Sequence, residues 1–292
     1  MEPASVFVCP LPLLWTLTTK RPSLTVTNVF PAAPALKLVQ HVACIENFNG
    51  CSMYQERTYR QFSQSSDLVS FNIKHKETDL FISARMDLSE RARLVAQKIR
   101  AQVESYIEAN PTFLAALEPL PFDAQAPAVV RQMLKAAQKA GVGPMAAVAG
   151  AIAQQVAQDL SKHSPDLLVE NGGDTYIYTT RERRLGIWAG EHNPFNQYAL
   201  LIDTAWSPVS VCCSSGTVGH SFSFGQADAA IIISHNGALA DAAATGLGNR
   251  TITHANFEVA LDYAKGIEGV KGALVIKGDK MGAWGCIRLC RL

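Results

Sequence analysis

The stretch Gly141-Val142-Gly143-Pro144-Met145-Ala146-Ala147-Val148-Ala149-Gly150-Ala151-Ile152 constrains the fold more than any other part of the chain. Its residues are small and apolar on every side, so a helix built from them has no face to offer water and must be buried. Small side chains also let a second backbone come close. The start of this helix, after Gly143, presents backbone N–H groups that have no intrahelical acceptor and could meet an anion. A tightly packed core helix accounts for the same residues.

Around this helix the pattern alternates between strand and helix without a regular βαβ repeat. Glu56–Phe62, Val69–Lys74 and Asp79–Ser83 are short and rich in β-formers. Asp87 with Glu90 can form a capping box, followed by a helix whose apolar positions Ala92, Val95, Ile99, Val103 and Tyr106 recur at helical spacing and which Pro111 ends. Pro127 and Gly141 bracket a second helix with Val130, Met133, Leu134 and Ala137 inward. Strands are expected at Leu167–Val169, Thr175–Thr180, Arg184–Ala189, Tyr198–Asp203, Val209–Cys213, Ala229–Ile233, Ala273–Ile276 and Trp284–Leu289. Helices are expected at Ala238–Leu247 and Ala255–Lys265. An α+β fold fits this order better than a doubly wound sheet.

Composition narrows the function classes. Hydrophobic residues make up 48% and charged residues 17%, which supports a folded globule. The formal net charge of +1 leaves no excess for nucleic-acid binding, and no basic stripe with interleaved aromatics is present. No apolar run reaches about 18 residues, so no membrane-spanning helix is expected. The cysteines (Cys9, Cys44, Cys51, Cys212, Cys213, Cys286 and Cys290) contain no CxxC pair, which gives a structural zinc site little support. Free thiols in a reducing compartment, hence a cytoplasmic protein, are the expectation. The oligomeric state is left open, with a homo-oligomer among the expectations.

Residues 1–52 read differently from residues 53–292. They hold Pro3, Pro10, Pro12, Pro22, Pro31 and Pro34 and keep no sustained period. The apolar stretch Val6–Leu17 precedes Lys20 and Arg21, the reverse of a signal peptide, and His41 spoils a lipobox at Cys44. We expect a poorly ordered extension, or an arm that packs on a partner. Residues 53–292 then form the folded domain.

Three groups of residues carry candidate chemistry. Asp241 and Thr245 are four apart and project from one helix face, with only alanines between. Placed in the first turn, Asp241 would be favoured as a carboxylate by the helix dipole. A carboxylate with a hydroxyl is hard-oxygen chemistry suited to Mg²⁺ beside a phosphate; a capping Asp and a Thr bonded back to a helix carbonyl is the plainer alternative. Ser214-Ser215-Gly216-Thr217, with Gly219 and His220 beyond, leaves a strand and can form a nest of N–H groups for a phosphate, or an ordinary polar turn. His220 is a candidate acid, base or ligand near neutral pH. Strand alternation puts Cys212 on the face of Ser214 and Cys213 on the other, so an electropositive turn would lower the pKa of Cys212. The turn Gly172-Gly173-Asp174 offers a carboxylate that could touch a ribose or cap the turn. Gly278–Gly285 reads as a tight connection with Trp284 packed.

Taken together, Tyr54–Arg60, Gly141–Ile152, Val169–Asp174, Ser214–Ser221 with Ser223-Phe224-Gly225, Ala240–Thr245 and Gly278–Gly285 resemble the uncharacterised-protein-family (UPF) branch of the ApbE-like superfamily. The resemblance covers roughly residues 53–292, and residues 1–52 have no counterpart. The related FAD:protein FMN transferases split FAD with Mg²⁺ and pass FMN to a Thr or Ser of a target protein. The resemblance therefore implies a mixed α/β, T-fold-like architecture, a flavin or other nucleotide as a small anionic ligand, and a metal at Asp241 and Thr245. It further implies ligand contacts from Gly172, Gly173, Asp174, Ser214, Ser215, Gly216 and Thr217. One departure stands out: Gly216 is followed by Thr217-Val218-Gly219-His220 and lacks the Asp-Pro-x-Thr-Gly stretch of the transferases. Family members tend to carry a Cys at the position of Cys212, and some are linked to sulfur assimilation, so a persulfide carrier is the alternative, with a non-catalytic binding protein behind it.

Overall fold

The structure of the protein is a computed structural model that describes residues 67–217 and 225–292. The expected strand Glu56–Phe62, the extension 1–52 and His220 lie outside the described residues. Strands β1 (Val69–His75) and β2 (Thr78–Ala84) form a hairpin and lead into α1 (Ser89–Ala109). The expected capping box is absent there. Leu88 precedes the helix, Asp87 accepts the Ser89 N–H at 2.8 Å, and Glu90 pairs with Arg93. The expected inward positions of α1 hold, with Ala92, Ile99 and Val103 buried.

A short α2 (Thr112–Ala115) follows, then α3 (Ala128–Ala140), preceded by Pro127 and closed by Gly141 at φ +66°. The left-handed conformation at Gly141 lets its N–H bond to Ala137 at 2.8 Å, which ends the helix as the sequence predicts. A 3-10 turn, Pro144–Ala147, leads into α4 (Val148–Leu160). This is the expected buried helix: Gly150, Ala151, Ile152, Ala153, Val156, Ala157 and Leu160 are all shielded from water.

The remaining strands are β3 (Leu167–Asn171), β4 (Asp174–Tyr178), β5 (Arg183–Gly186), β6 (Tyr198–Ile202), β7 (Val209–Ser214) and β8 (Ala229–Ser234). After α5 (Gly237–Asn249) and α6 (Phe257–Gly266) come β9 (Val270–Lys277), β10 (Lys280–Gly285) and β11 (Leu289–Arg291). Eight strands form one sheet in the order β1-β2-β3-β4-β7-β8-β9-β10, and every neighbouring pair is antiparallel. Strands β5, β6 and β11 form a second sheet, so the single strand expected at Trp284–Leu289 is the end of β10, a bend at Cys286–Arg288 and the start of β11. Similarly, Gly278–Gly285 is mostly strand β10, with the connection confined to Gly278 and Asp279. Trp284 is half-buried against the helices.

The helices cover one face of the large sheet, and the three-stranded sheet covers the other. Each face has its own apolar core, one built around Leu80, Ile82, Met133, Leu160 and Ile232, the other around Ile177, Leu200, Ile202, Val211 and Ile276. Strand alternation distributes side chains between the two. In β7, Val209, Val211 and Cys213 face the small sheet, and Cys212 faces the helices. This is an α+β architecture, as expected.

Candidate functional site

Helices α4 and α5 begin at the same place. A Cβ on Gly150 would lie 2.3 Å from the Gly237 carbonyl oxygen, and one on Gly237 would lie 2.5 Å from the Gly150 carbonyl oxygen. Only glycine permits this approach. Each helix has N–H groups in its first turn that need acceptors, and each helix supplies them to the other. The Gly150 N–H donates to Oδ2 of Asp241 at 2.8 Å, and the Ala149 N–H also bonds this carboxylate. In return, the Gly237 N–H donates to Oε1 of Gln154 at 2.7 Å. Asn236 caps α5 from within, accepting the Leu239 N–H at 2.9 Å. The anion expected at the start of α4 is thus the carboxylate of Asp241.

The β3–β4 hairpin closes over this crossing. Gly172 and Gly173 have φ of +67° and +104°, the two positive values that a tight two-residue hairpin turn requires. Glu170 accepts the Gly173 N–H at 2.7 Å, and Asn171 donates its amide to the Ala149 carbonyl at 3.1 Å. Next, Asp174 is buried and accepts the Cys213 N–H at 3.3 Å. Strand pairing sets Thr175 against Val211 and Tyr176 against Ser210. Carrying the register one residue further brings Asp174 level with Cys212, on the helix-facing side. The thiol of Cys212 in turn reaches the Gly237 carbonyl at 3.7 Å and Ser210 Oγ at 3.3 Å.

Asp174 and Cys212 are buried with half-buried Asp241 beside them, and the electrostatics of this region correct two expectations. Burial pushes the carboxyl of Asp241 up to about 7, against the opposing pull of the Gly150 and Ala149 N–H groups. Asp241 is the fifth residue of α5 rather than part of its first turn, so its own helix contributes little; the helix N-terminus it faces is that of α4. Burial, followed by the charge of Asp241, raises Asp174 well above the carboxylate range. Cys212 was expected to be acidified by an electropositive turn. Instead, burial and then the charges of Asp174 and Asp241 raise its pKa well above that of a free thiol. Cys213, on the other face, is pushed up to about 12, mainly by burial.

Thr245 stands one turn beyond Asp241 on α5 and is half-buried. Its hydroxyl makes no hydrogen bond among the described residues, so the back-bond to a helix carbonyl, seen at Thr251 with Leu247, does not occur here. Neither Asp174 nor Asp241 is in an ion pair among the described residues. Two carboxyl groups and a hydroxyl, with no Lys or Arg paired to them among the described residues, are hard-oxygen donors of the kind that suit a divalent cation. No group of three His, Cys, Asp or Glu with metal-holding geometry occurs among the described residues.

The Ser214–Thr217 bend lies further along α5. A Cβ on Gly216 would collide with the Gly225 carbonyl, and one on Gly225 with the Gly248 carbonyl, so the bend rests against the C-terminal end of that helix. Seven residues separate Asp241 from Gly248, about 10 Å of helix. The bend reaches α5 through Gly225, while its Thr217 end borders a surface pocket with Asp228, Gly278 and the loop 189–194. The expected phosphate nest is not formed by its N–H groups, however. The Gly216 N–H donates to the Ala227 carbonyl at 2.9 Å and the Thr217 N–H to Ser215 Oγ at 3.2 Å. Ser214 is buried, Ser215 Oγ reaches the Ala227 carbonyl, and Thr217 Oγ1 donates to Asp228 at 2.9 Å. Asp228 also accepts the Gly278 N–H at 2.6 Å, which joins the bend to the β9–β10 turn.

Asn171, Gln154 and Asp228 are the polar residues of this region that the sequence did not single out. The signal for Gln154 was present: an amide within an otherwise small, apolar helix.

These features define a fold class that comparison with known proteins identifies. The structure aligns with the apo flavinyl transferase ApbE of Pseudomonas stutzeri at a TM-score of 0.50, covering 75% of this chain and 94% of that one at 11% identity. It aligns equally with the flavin transferase ApbE of Vibrio cholerae, covering 75% and 96% at 12% identity. At such identities the likeness is one of fold. Residues 60–271 match the family model described as "AbpE bacteria", and the chain belongs to that ApbE-like family. Its relatives are UPF0280 proteins. That of Methanosarcina acetivorans is 44% identical over 67% of this chain and 78% of its own length. That of Methanosarcina barkeri is 40% identical over 76% and 90%.

Proposed function

We propose that this chain is a Mg²⁺-dependent flavin-nucleotide-binding protein of the transferase type, with the cation held by Asp241 and Thr245 and charge supplied by Asp174. The observation that carries this reading is the neighbouring pair of buried Asp174 and half-buried Asp241, which has no cationic partner among the described residues, beside a Thr245 hydroxyl that makes no hydrogen bond among them. Keeping two neighbouring carboxylates charged without a cation is costly when one is buried and the other half-buried. A bound divalent cation removes that cost and supplies the Lewis acidity that draws charge from a phosphate oxygen.

The chain's own residues hold and orient. Asp241 is fixed by the Gly150 and Ala149 N–H groups, which use two of its roughly four lone-pair sites and leave the others for a ligand. Asn171 ties the glycine turn to α4, so Asp174 is carried on a rigid hairpin. The Ser214–Thr217 bend, which meets the far end of α5 through Gly225, is the candidate contact for a second part of the nucleotide.

A persulfide on Cys212 is disfavoured as an alternative. A sulfur nucleophile needs a thiolate, and burial holds the pKa of this thiol well above that of a free cysteine. The test is binding of FAD to the purified full chain with Mg²⁺ and with EDTA, followed by product analysis for FMN and AMP. Tight binding with Mg²⁺ that EDTA abolishes, and that Asp241→Asn loses, is the expected result. Equal binding in all three conditions overturns the reading.

A further inference from the structure

The reciprocal capping at the α4–α5 crossing makes the position of Asp241 depend on a residue with no charge. The Gly237 N–H opens α5 at a buried site and needs an acceptor, and Gln154 supplies it from one turn along α4, at 2.7 Å and with only 6% of its surface exposed. A carboxylate would be the stronger acceptor at a helix N-terminus. Here it would add a third negative charge to a region that already holds Asp174 and Asp241. A neutral amide oxygen fixes the helix without that repulsion. The bond closes a loop of contacts: Gln154 on α4 holds Gly237 of α5, and Asp241 of α5 holds Gly150 of α4. Gly150 and Gly237 touch between them, so neither bond can lengthen without moving the other.

We propose that Gln154 is a positioning residue for the cation site: its bond to Gly237 sets the start of α5 so that Asp241 stays on the Gly150 N–H with lone pairs left for a divalent cation. This rests on the reading of Asp241 given above. Removing the amide lets the first turn of α5 shift, and Asp241 then trades its place at the cation for whatever acceptor geometry α4 permits.

The experiment is calorimetric titration of Mg²⁺ into the metal-free, nucleotide-free full chain, well below the melting temperature, for wild type, Gln154→Met, Gln154→Glu and Ile152→Ala. Gln154→Met keeps the length of the side chain and loses the acceptor, and is expected to weaken Mg²⁺ binding about 10-fold or more. Gln154→Glu restores an acceptor of the same reach and is expected to bind more tightly than Gln154→Met. Ile152→Ala loosens the same helix without touching Gly237 and is expected to lower the melting temperature but leave the affinity unchanged. Should Gln154→Met not fold, Gln154→Asn, shorter by one methylene, takes its place with the same expectation. Wild-type affinity in Gln154→Met, or an equal loss in Ile152→Ala, overturns the assignment of Gln154 and leaves the cation site standing. A wild-type chain that binds no Mg²⁺ overturns both.

Discussion

Gly150→Ala tests the helix crossing most severely. The added methyl would sit 2.3 Å from the Gly237 carbonyl oxygen and 2.7 Å from Asp241 Cβ, where ordinary contact begins near 3.4 Å. The helices must part by about 1 Å. Overpacking of this kind costs about 1–3 kcal/mol. Separation also strains the Gly150 N–H bond to Asp241, and a buried polar group deprived of its partner costs about 1–3 kcal/mol more. Against this, Ala in place of Gly within a helix returns about 1 kcal/mol. The net expectation is a loss of about 3 kcal/mol, or roughly 6–12 °C in Tm for a domain of this size. Urea denaturation measures it, with Gly266→Ala as the matched control. Gly266 closes α6 and a Cβ there would meet nothing within 4 Å, so that variant should be neutral or gain up to about 1 kcal/mol. If Gly150→Ala is as stable as wild type to within about 0.5 kcal/mol, the crossing is not as tight as described and the reciprocal caps lose their basis.

Three further outcomes follow from the charges and thiols. Asp166 is buried against Arg85 and Arg183, and the Thr180 N–H with Arg85 overcomes burial to hold its carboxyl well below the usual range. Its contribution is present above the unfolded pKa near 4 and is lost as pH falls below it, so acid unfolding should begin at higher pH in Asp166→Asn, which should also cost about 3 kcal/mol at neutral pH. Asp241 has the opposite sign: its raised folded value means that cation-free protein loses stability as pH climbs from about 4 to about 7, and thermal melts across that range should show a shallower fall in Asp241→Asn. Finally, alkylation of native protein at pH 8 with mass-spectrometric mapping should label exposed Cys286 and spare Cys212; rapid labelling of Cys212 would refute its buried, protonated state.

How much of this was legible in the sequence depended on whether the cause was local. Period-two alternation placed Cys212 and Cys213 on opposite faces because it follows from the pleat alone. Gly141 read as a helix stop and Gly172-Gly173 as a turn because positive φ selects glycine. The all-apolar Gly141–Ile152 segment read as a buried helix for want of any polar face, although the α-helix begins only at Val148, after a 3-10 turn at Pro144–Ala147. The failures have a shared origin. Asp241 gains its hydrogen bonds from Gly150, 91 positions away, and its neighbour Ala149, and Cys212 gains its negative surroundings from Asp174 across a strand pair, so neither environment is written in neighbouring residues. The Ser214–Thr217 bend looked like an open nest because sequence does not show that Ala227 returns to take the Gly216 N–H. The division of the strands into two sheets likewise arises from packing: the bend at Cys286–Arg288 turns β11 away from β10 to pair with β6.

The account stands on the carboxylate of Asp241 being a cation ligand as well as a helix cap. The direct measurement is Mn²⁺ binding followed by electron paramagnetic resonance in the full chain, with and without FAD, for wild type and Asp241→Asn. One bound Mn²⁺ per wild-type chain, displaced by Mg²⁺ and lost in Asp241→Asn, is the predicted result. An Asp241→Asn chain that retains the ion at wild-type affinity would show that Asp241 only caps α4, and would contradict the account.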